Sequence, residues 1–314
     1  MNGYILNSPG AVVAAVPYLI GYHPAESVVV VYLKDGMVVL TTCGDLPEGG
    51  DLEQRLETTG ATSVVALGYG SDHEAYLYRL AAQAEDLGCE VKDIILVQDG
   101  RWRTLMCGDA DCCPPEGQEI DASFAEHLAA SLPAPAASRE ALTLEYVAAG
   151  AQQVEAKDRY SVDEADAVCA LLASDEPDLD ALTALVPMLG CIYERDYVIA
   201  RLAREFDAAG WTTIRANAAA AVRAAHPSQS VAPLTFAALA AYANGDGARS
   251  NVALAELVDR CDALKCDLPN LALLVMKSNA MGVPPDSWMR MMREMDIEPL
   301  AASVRTGTPA VLTS

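Results

Sequence analysis

This sequence is poor in basic side chains and in aromatic rings. Lysine and arginine together number 21 against 44 aspartates and glutamates, a formal charge of −23. Divided at residue 150, the first part carries 7 basic and 22 acidic side chains and the second 14 and 22, so neither part is basic. That balance disfavours nucleic-acid binding through phosphate neutralisation. An acidic decoy surface for a basic partner stays open beside plain solubility. Aromatics are only 6% of residues although 52% are apolar. Alanine supplies much of the difference, which favours closely packed helices over aromatic-rich sheets. No apolar run approaches the ~20 residues of a membrane span. The opening MNGYILNSPG has neither the basic start nor the apolar stretch of a secretory signal. The expectation is a cytoplasmic protein, away from membranes, with its nine cysteines reduced.

Familiar catalytic and cofactor patterns are missing too. There is no G-x-G-x-x-G, no Walker loop, no G-x-S-x-G elbow and no C-x-x-C knuckle. No cofactor is therefore expected.

What is present reads as two regions. Ser8-Pro9 is a helix start, with Ser8 as cap and Pro9 in the first turn. The helix should run toward Gly21 and kink or end at Pro17. SVVVVYL (27–33) and MVVLTTC (37–43) flank Asp35-Gly36 as a hairpin of β-branched strands. GDLEQRLETTG (50–60) is a helix and TSVVALGYG (62–70) a buried strand. SDHEAYLYRLAAQAEDLG (71–88) is an amphipathic helix, with Ser71 or Asp72 as its cap and Gly88 as its stop. EVKDIILVQ (90–98) and RWRTLMC (101–107) form a second hairpin across Asp99-Gly100, and the second strand leads into a cysteine loop that leaves the domain. Strands interleaved with helices make this an α/β domain with a mixed sheet, over residues 1–130. SLPAPAASRE (131–140) reads as a linker. Residues 141–303 read as an all-α helical domain of about eight helices without strands, and 304–314 as a frayed tail. One helix opens with a capping box, Ser161 with Glu164. The segment around NGDG (244–247) joins two helices as a hairpin.

Three stretches could carry chemistry. CGDADCCPPEG (107–117) places Cys107, Cys112 and Cys113 in one turn-rich segment. They could act as a nucleophilic thiol, but Asp109 and Asp111 disfavour a thiolate. Zinc needs four ligands, and adjacent cysteines seldom face one ion, so no metal site is expected. The competing reading is a rigid turn with small buried sulfurs. GYHPAES (21–27) joins the first helix to the first strand and offers Tyr22, His23, Glu26 and Ser27. His23 beside Ser27 suggests a nucleophile and base, yet triads usually assemble distant residues. The plainer reading is a loop whose Glu26 and Ser27 satisfy backbone groups. GYGSDHEA (68–75) leaves a strand and opens a helix, where α/β folds hold ligands. Ser71 and His73 are its candidates, while Asp72 and Glu74 would repel phosphate. Asp45, in DLP, joins the ligand candidates. The element order also matches zinc-dependent cytidine deaminases, but neither of their metal motifs is present. In the helical region, WMRMMREM (288–295) suits a partner surface or self-association, or else its own core.

AVPYLIGYHPAESVVVVYL (15–33), DLP (45–47), CGDADCCPPEG and PLTFAALAAYANGDGARSNVALAELVD (233–259), in that order, resemble one family. It is a large family of actinobacteria and their phages that is catalogued as a domain of unknown function. The resemblance implies no activity. In that family a basic residue closes the second strand, where this chain has Cys43. The functional expectation is a non-enzymatic module that binds a ligand at the 21–27, 68–74 and 107–117 loops and a protein partner, or itself, through the helical domain. An enzyme using the same loops is the alternative.

Overall fold

The computed structural model describes residues 8–44, 50–120, 122–130 and 134–309. It divides into an α/β unit (residues 1–139 with 280–283) and a helical unit (140–279 with 284–314).

In the α/β unit, helix α1 (Pro9–Ile20) is followed by β1 (Ser27–Lys34), β2 (Met37–Gly44), α2 (Gly50–Thr59), β3 (Ser63–Tyr69), α3 (Glu74–Asp86), β4 (Glu90–Gln98), β5 (Arg101–Thr104), β6 (Gln118–Glu119) and α4 (Ala122–Ala129). The six strands form one mixed sheet in the order β2-β1-β3-β4-β5-β6. Only β3 and β4 are parallel; the other neighbours are antiparallel. Successive side chains of a strand point to opposite faces. On one face Val28, Val30, Tyr32, Val64 and Ala66 pack with Leu52 and Leu56 of α2 and with Leu77, Leu80 and Ala84 of α3. The alternate residues Val29, Val31, Val65 and Leu67 are equally buried, and on that side α1 packs against the sheet and against α4. Burial on both faces explains why β1 and β3 read as unbroken apolar runs.

The hairpin turns follow their sequence signal. Asp35 and Gly36, and likewise Asp99 and Gly100, all have positive φ, as a type I′ turn requires. Helix α1 does not end at Pro17 but continues to the stop at Gly21, which turns left-handed; a proline in the last turn forfeits one hydrogen bond, and packing on the sheet offsets it. Two local expectations need correction. The cap position of α3 is His73, not Ser71 or Asp72, and it makes no side-chain capping bond. The cysteine loop does not leave the domain either. It connects β5 to β6, a two-residue edge strand paired through Arg101–Glu119 and Trp102–Gln118. Too short to show alternation, β6 carries no sequence signal of its own. Residues past the loop return as well: the Ala136 backbone exchanges hydrogen bonds with Gly21 and His23 at 2.9 and 3.0 Å.

The helical unit contains α5 (Arg139–Thr143, its first residue in the other unit), α6 (Val162–Leu172), α7 (Leu179–Leu185), α8 (Ile192–Glu205), α9 (Trp211–Ala224), α10 (Val231–Ala243), α11 (Gly247–Leu264), α12 (Asn270–Met281, its last two residues in the other unit), α13 (Pro285–Glu294) and α14 (Ile297–Thr306). The eight helices expected from the sequence correspond to α6 through α13. Helix α14 is an addition to them, and its last turn runs into the 304–314 segment expected to be a frayed tail. Its Asp296 cap and left-handed Gly307 stop are ordinary boundary signals. Among the described residues this unit has no strand. Helix α10 is buried all round and pairs with α9 and α11. The capping box of α6 forms in full. The methionine-rich segment is partly core: Met289 is buried, and the Trp288 ring meets Trp211 and Tyr242 edge-on at 6.3 and 6.4 Å. No helix among the described residues is long and apolar enough to cross a membrane.

Candidate functional site

The carboxyl ends of the parallel strands β3 and β4 lie beside the entry into β1, since β1 runs antiparallel to β3. Open α/β sheets hold ligands beyond the carboxyl ends of parallel strands. Here that edge opens into a cleft of about 510 Å³, a volume suited to a small organic molecule. The 21–27 segment contributes His23 and Glu26, the end of β3 contributes Tyr69, Gly70 and Ser71, and the β4–β5 turn contributes Gln98 and Asp99. Pro17 and Tyr18 of α1 and Ala125 of α4 form an apolar wall. The Tyr18 hydroxyl donates to the Ala125 carbonyl at 3.2 Å and ties that wall together.

Two backbone features shape the polar side. Glu26 adopts φ +37°, rare for a residue with a side chain. Its carboxylate lies directly on Gly70, which has φ +95° and whose amide donates to the Val97 carbonyl at 2.9 Å. A Cβ on Gly70 would come within 2.4 Å of that carboxylate. Glycine is therefore required twice, by the torsion and by the close approach. Tyr69 is only 8% exposed, and its hydroxyl has no hydrogen-bond partner among the described residues. Burial, with a smaller contribution from Cys43, pushes its ionisation far above the ordinary phenol range. The hydroxyl stays neutral and keeps its proton available. Among the described lining residues, the acids are Glu26 and Asp99, and there is no lysine or arginine.

The residues singled out from sequence divide accordingly. His23, Glu26 and Ser71 meet at the cleft. Tyr22 is buried and bridges to Ala136 through its backbone. Ser27 is buried and accepts from the Cys43 thiol at 3.5 Å. His73 does not line the cleft. Its side chain packs on Gly68, where a Cβ would lie 2.7 Å from the His73 Cβ, and its Nε2 is buried with no hydrogen-bond partner among the described residues. Asp45 lies outside the described residues. Tyr69 lies inside the 68–75 stretch, where Ser71 and His73 are the clearer polar candidates; Tyr18, Gln98 and Asp99 lie outside the three candidate stretches, Asp99 in a QDG pattern that marks a turn as well as a strand exit.

The cysteine loop forms a separate cluster, and none of its three cysteines lines the cleft. The Sγ atoms of Cys107, Cys112 and Cys113 all lie within 4.8 Å of one another. A turn closed by the Cys113 amide on the Asp109 carbonyl at 2.7 Å brings them together. The loop is braced from the sheet: Arg101 donates to the carbonyls of Glu116 and Gly117, and Gln118 donates to the Cys112 carbonyl at 2.8 Å. The Asp109 N–H and then the Cys113 thiol, both directed at the Cys107 sulfur, draw the Cys107 pKa down. Desolvation, and then the hydrogen bond its thiol donates to Cys107, push Cys113 up to about 12.

The architecture so far defines a class: an α/β unit with a mixed six-stranded sheet and a ligand-sized cleft, followed by a helical unit. The particular family is shown by a family model described as a domain of unknown function (DUF4192), which matches residues 9–170, just over half of the chain. The chain belongs to this family. The 233–259 segment lies outside the matched residues. No curated protein and no solved structure matches this chain.

Proposed function

We propose that the α/β unit is a binding module for a small organic cation, held in the cleft beyond β3 and β4. The carrying observation is the charge of the lining: among the described residues it holds Glu26 and Asp99 and no lysine or arginine. A phosphate or carboxylate ligand would meet only repulsion from those acids. An ammonium or guanidinium group gains charge-assisted hydrogen bonds from the same two carboxylates. The apolar wall of Pro17, Tyr18 and Ala125 suits a short hydrocarbon body. The buried Tyr69 hydroxyl offers one further polar contact, and an unmet buried hydroxyl costs about 1–3 kcal/mol. A ligand that meets it recovers part of that cost. The left-handed Glu26 supports the same reading, since strained torsions gather at ligand clamps.

Hydrogen exchange on the full chain with agmatine and choline as probes tests the reading. The expected result is joint slowing of exchange in residues 21–27, 69–71 and 97–100. Protection by inorganic phosphate instead of the amines, or protection confined to other segments, would overturn it.

A further inference from the structure

We propose that Cys107, Cys112 and Cys113 form a three-thiolate site for one soft metal ion of the zinc class, with a fourth position open to water or an outside ligand. The site is independent of the cleft and uses none of its residues. Spacing alone argued against it, because two adjacent side chains in extended backbone point apart. The β5–β6 loop is not extended there. The turn from Asp109 to Cys113 swings both sulfurs to one side, with Cys112 Sγ and Cys113 Sγ 3.8 Å apart. Two sulfurs bound to tetrahedral zinc, each at about 2.3 Å, are themselves about 3.8 Å apart. The other separations, at most 4.8 Å, reach that value by a shift of about 1 Å.

The surroundings fit a metal centre better than a packed core. Cys112 is exposed, and Cys107 and Cys113 are half-buried, whereas purely structural cysteines are usually buried. Asp109 is occupied, since its Oδ1 accepts from the Asp111 amide at 2.9 Å. The Arg101 and Gln118 braces hold the loop before any ion arrives, which lowers the ordering cost of binding. On binding, each protonated thiol releases its proton to solvent as its sulfur takes up the metal, with no change of oxidation state. Three protein ligands leave the fourth place free, as in catalytic rather than structural zinc sites.

The test uses the full chain, reduced and stripped with a chelator, then titrated with Co²⁺. One equivalent should develop thiolate-to-cobalt charge-transfer absorption together with the visible bands of a tetrahedral ion, and Zn²⁺ should displace it. Each single Cys→Ser change at 107, 112 or 113 should weaken binding by more than the ~10–100-fold of an outer-contact change. A Cys43→Ser/Cys266→Ser variant should bind as the wild type does. Zn²⁺ should also shield the three loop cysteines of the wild type from alkylation, as read by peptide mapping, which decides the matter even where a variant folds poorly. Absence of charge transfer, its survival in the triple variant, or recovery of the loop as a disulfide from reduced protein would overturn the proposal.

Discussion

Gly70→Ala is the sharpest probe of how the cleft is built. The new Cβ meets two separate obstacles. The first is the torsion, φ +95°, which costs an L-residue roughly 1–2 kcal/mol. The second is the Glu26 carboxylate, which occupies the space of the new methyl. Its side chain can swing aside, but only by abandoning its place over the β3 exit. Displacement adds about 1 kcal/mol, within the range of coupling between contacting residues. The wild-type background should therefore lose about 2–3 kcal/mol. In a Glu26→Ala background only the torsional part remains, about 1–2 kcal/mol. The readout is the opening free energy of the β3 and β4 amides by native-state hydrogen exchange, which isolates the α/β unit from the helical one. Equal losses in the two backgrounds would refute the claim that Gly70 exists to seat Glu26.

Two further predictions concern the helical unit. Asn217, on α9, is buried, and its amide donates to the carbonyls of Leu172 and Ser174 at 2.9 and 2.7 Å, closing the end of α6. Asn217→Leu should destabilise the unit by about 1–3 kcal/mol in urea unfolding, because those carbonyls lose their donor; a change under 0.5 kcal/mol, about the level of a neutral surface substitution, would contradict it. Glu164 is held down to about 2 by Lys157 first and by the Ser161 N–H. Its folded value lies below the ~4.3 of an unfolded glutamate. The stabilisation is thus present above about pH 4.3 and fades as pH falls toward 2. Urea midpoints between pH 5 and 2 should fall less steeply in Glu164→Gln, and an unchanged slope would count against the pairing.

The sequence carried most of the architecture for identifiable reasons. β1 and β3 announce themselves as unbroken β-branched runs because both faces are covered. The Asp35-Gly36 and Asp99-Gly100 turns are legible because type I′ geometry demands those residue types. Ser161 and Glu164 mark the start of α6 by local chemistry alone. Strand β6 was illegible because two residues show no period, and its pairing with β5 is a tertiary event. The site was legible by segment rather than by residue. Residues 21–27 and 68–71 do meet, but their meeting depends on β1 running antiparallel beside a parallel β3–β4 pair. No local pattern encodes that strand order. Asp99 shows in the sequence as a turn former, and Tyr69, inside the 68–75 stretch, is a less obvious candidate than Ser71 and His73. The convergence of Cys112 and Cys113 was hidden because it depends on the loop turning back toward β6.

If the cleft beyond β3 and β4 takes a cation through Glu26 and Asp99, calorimetric titration of the full chain with agmatine at low salt, repeated with Glu26→Gln/Asp99→Asn, should show it. Saturable binding to the wild type is expected, with a loss of at least about tenfold in the variant, or 1.4 kcal/mol, and no heat from phosphate in either. Equal agmatine affinity in the two proteins, or phosphate binding to the wild type, would contradict it.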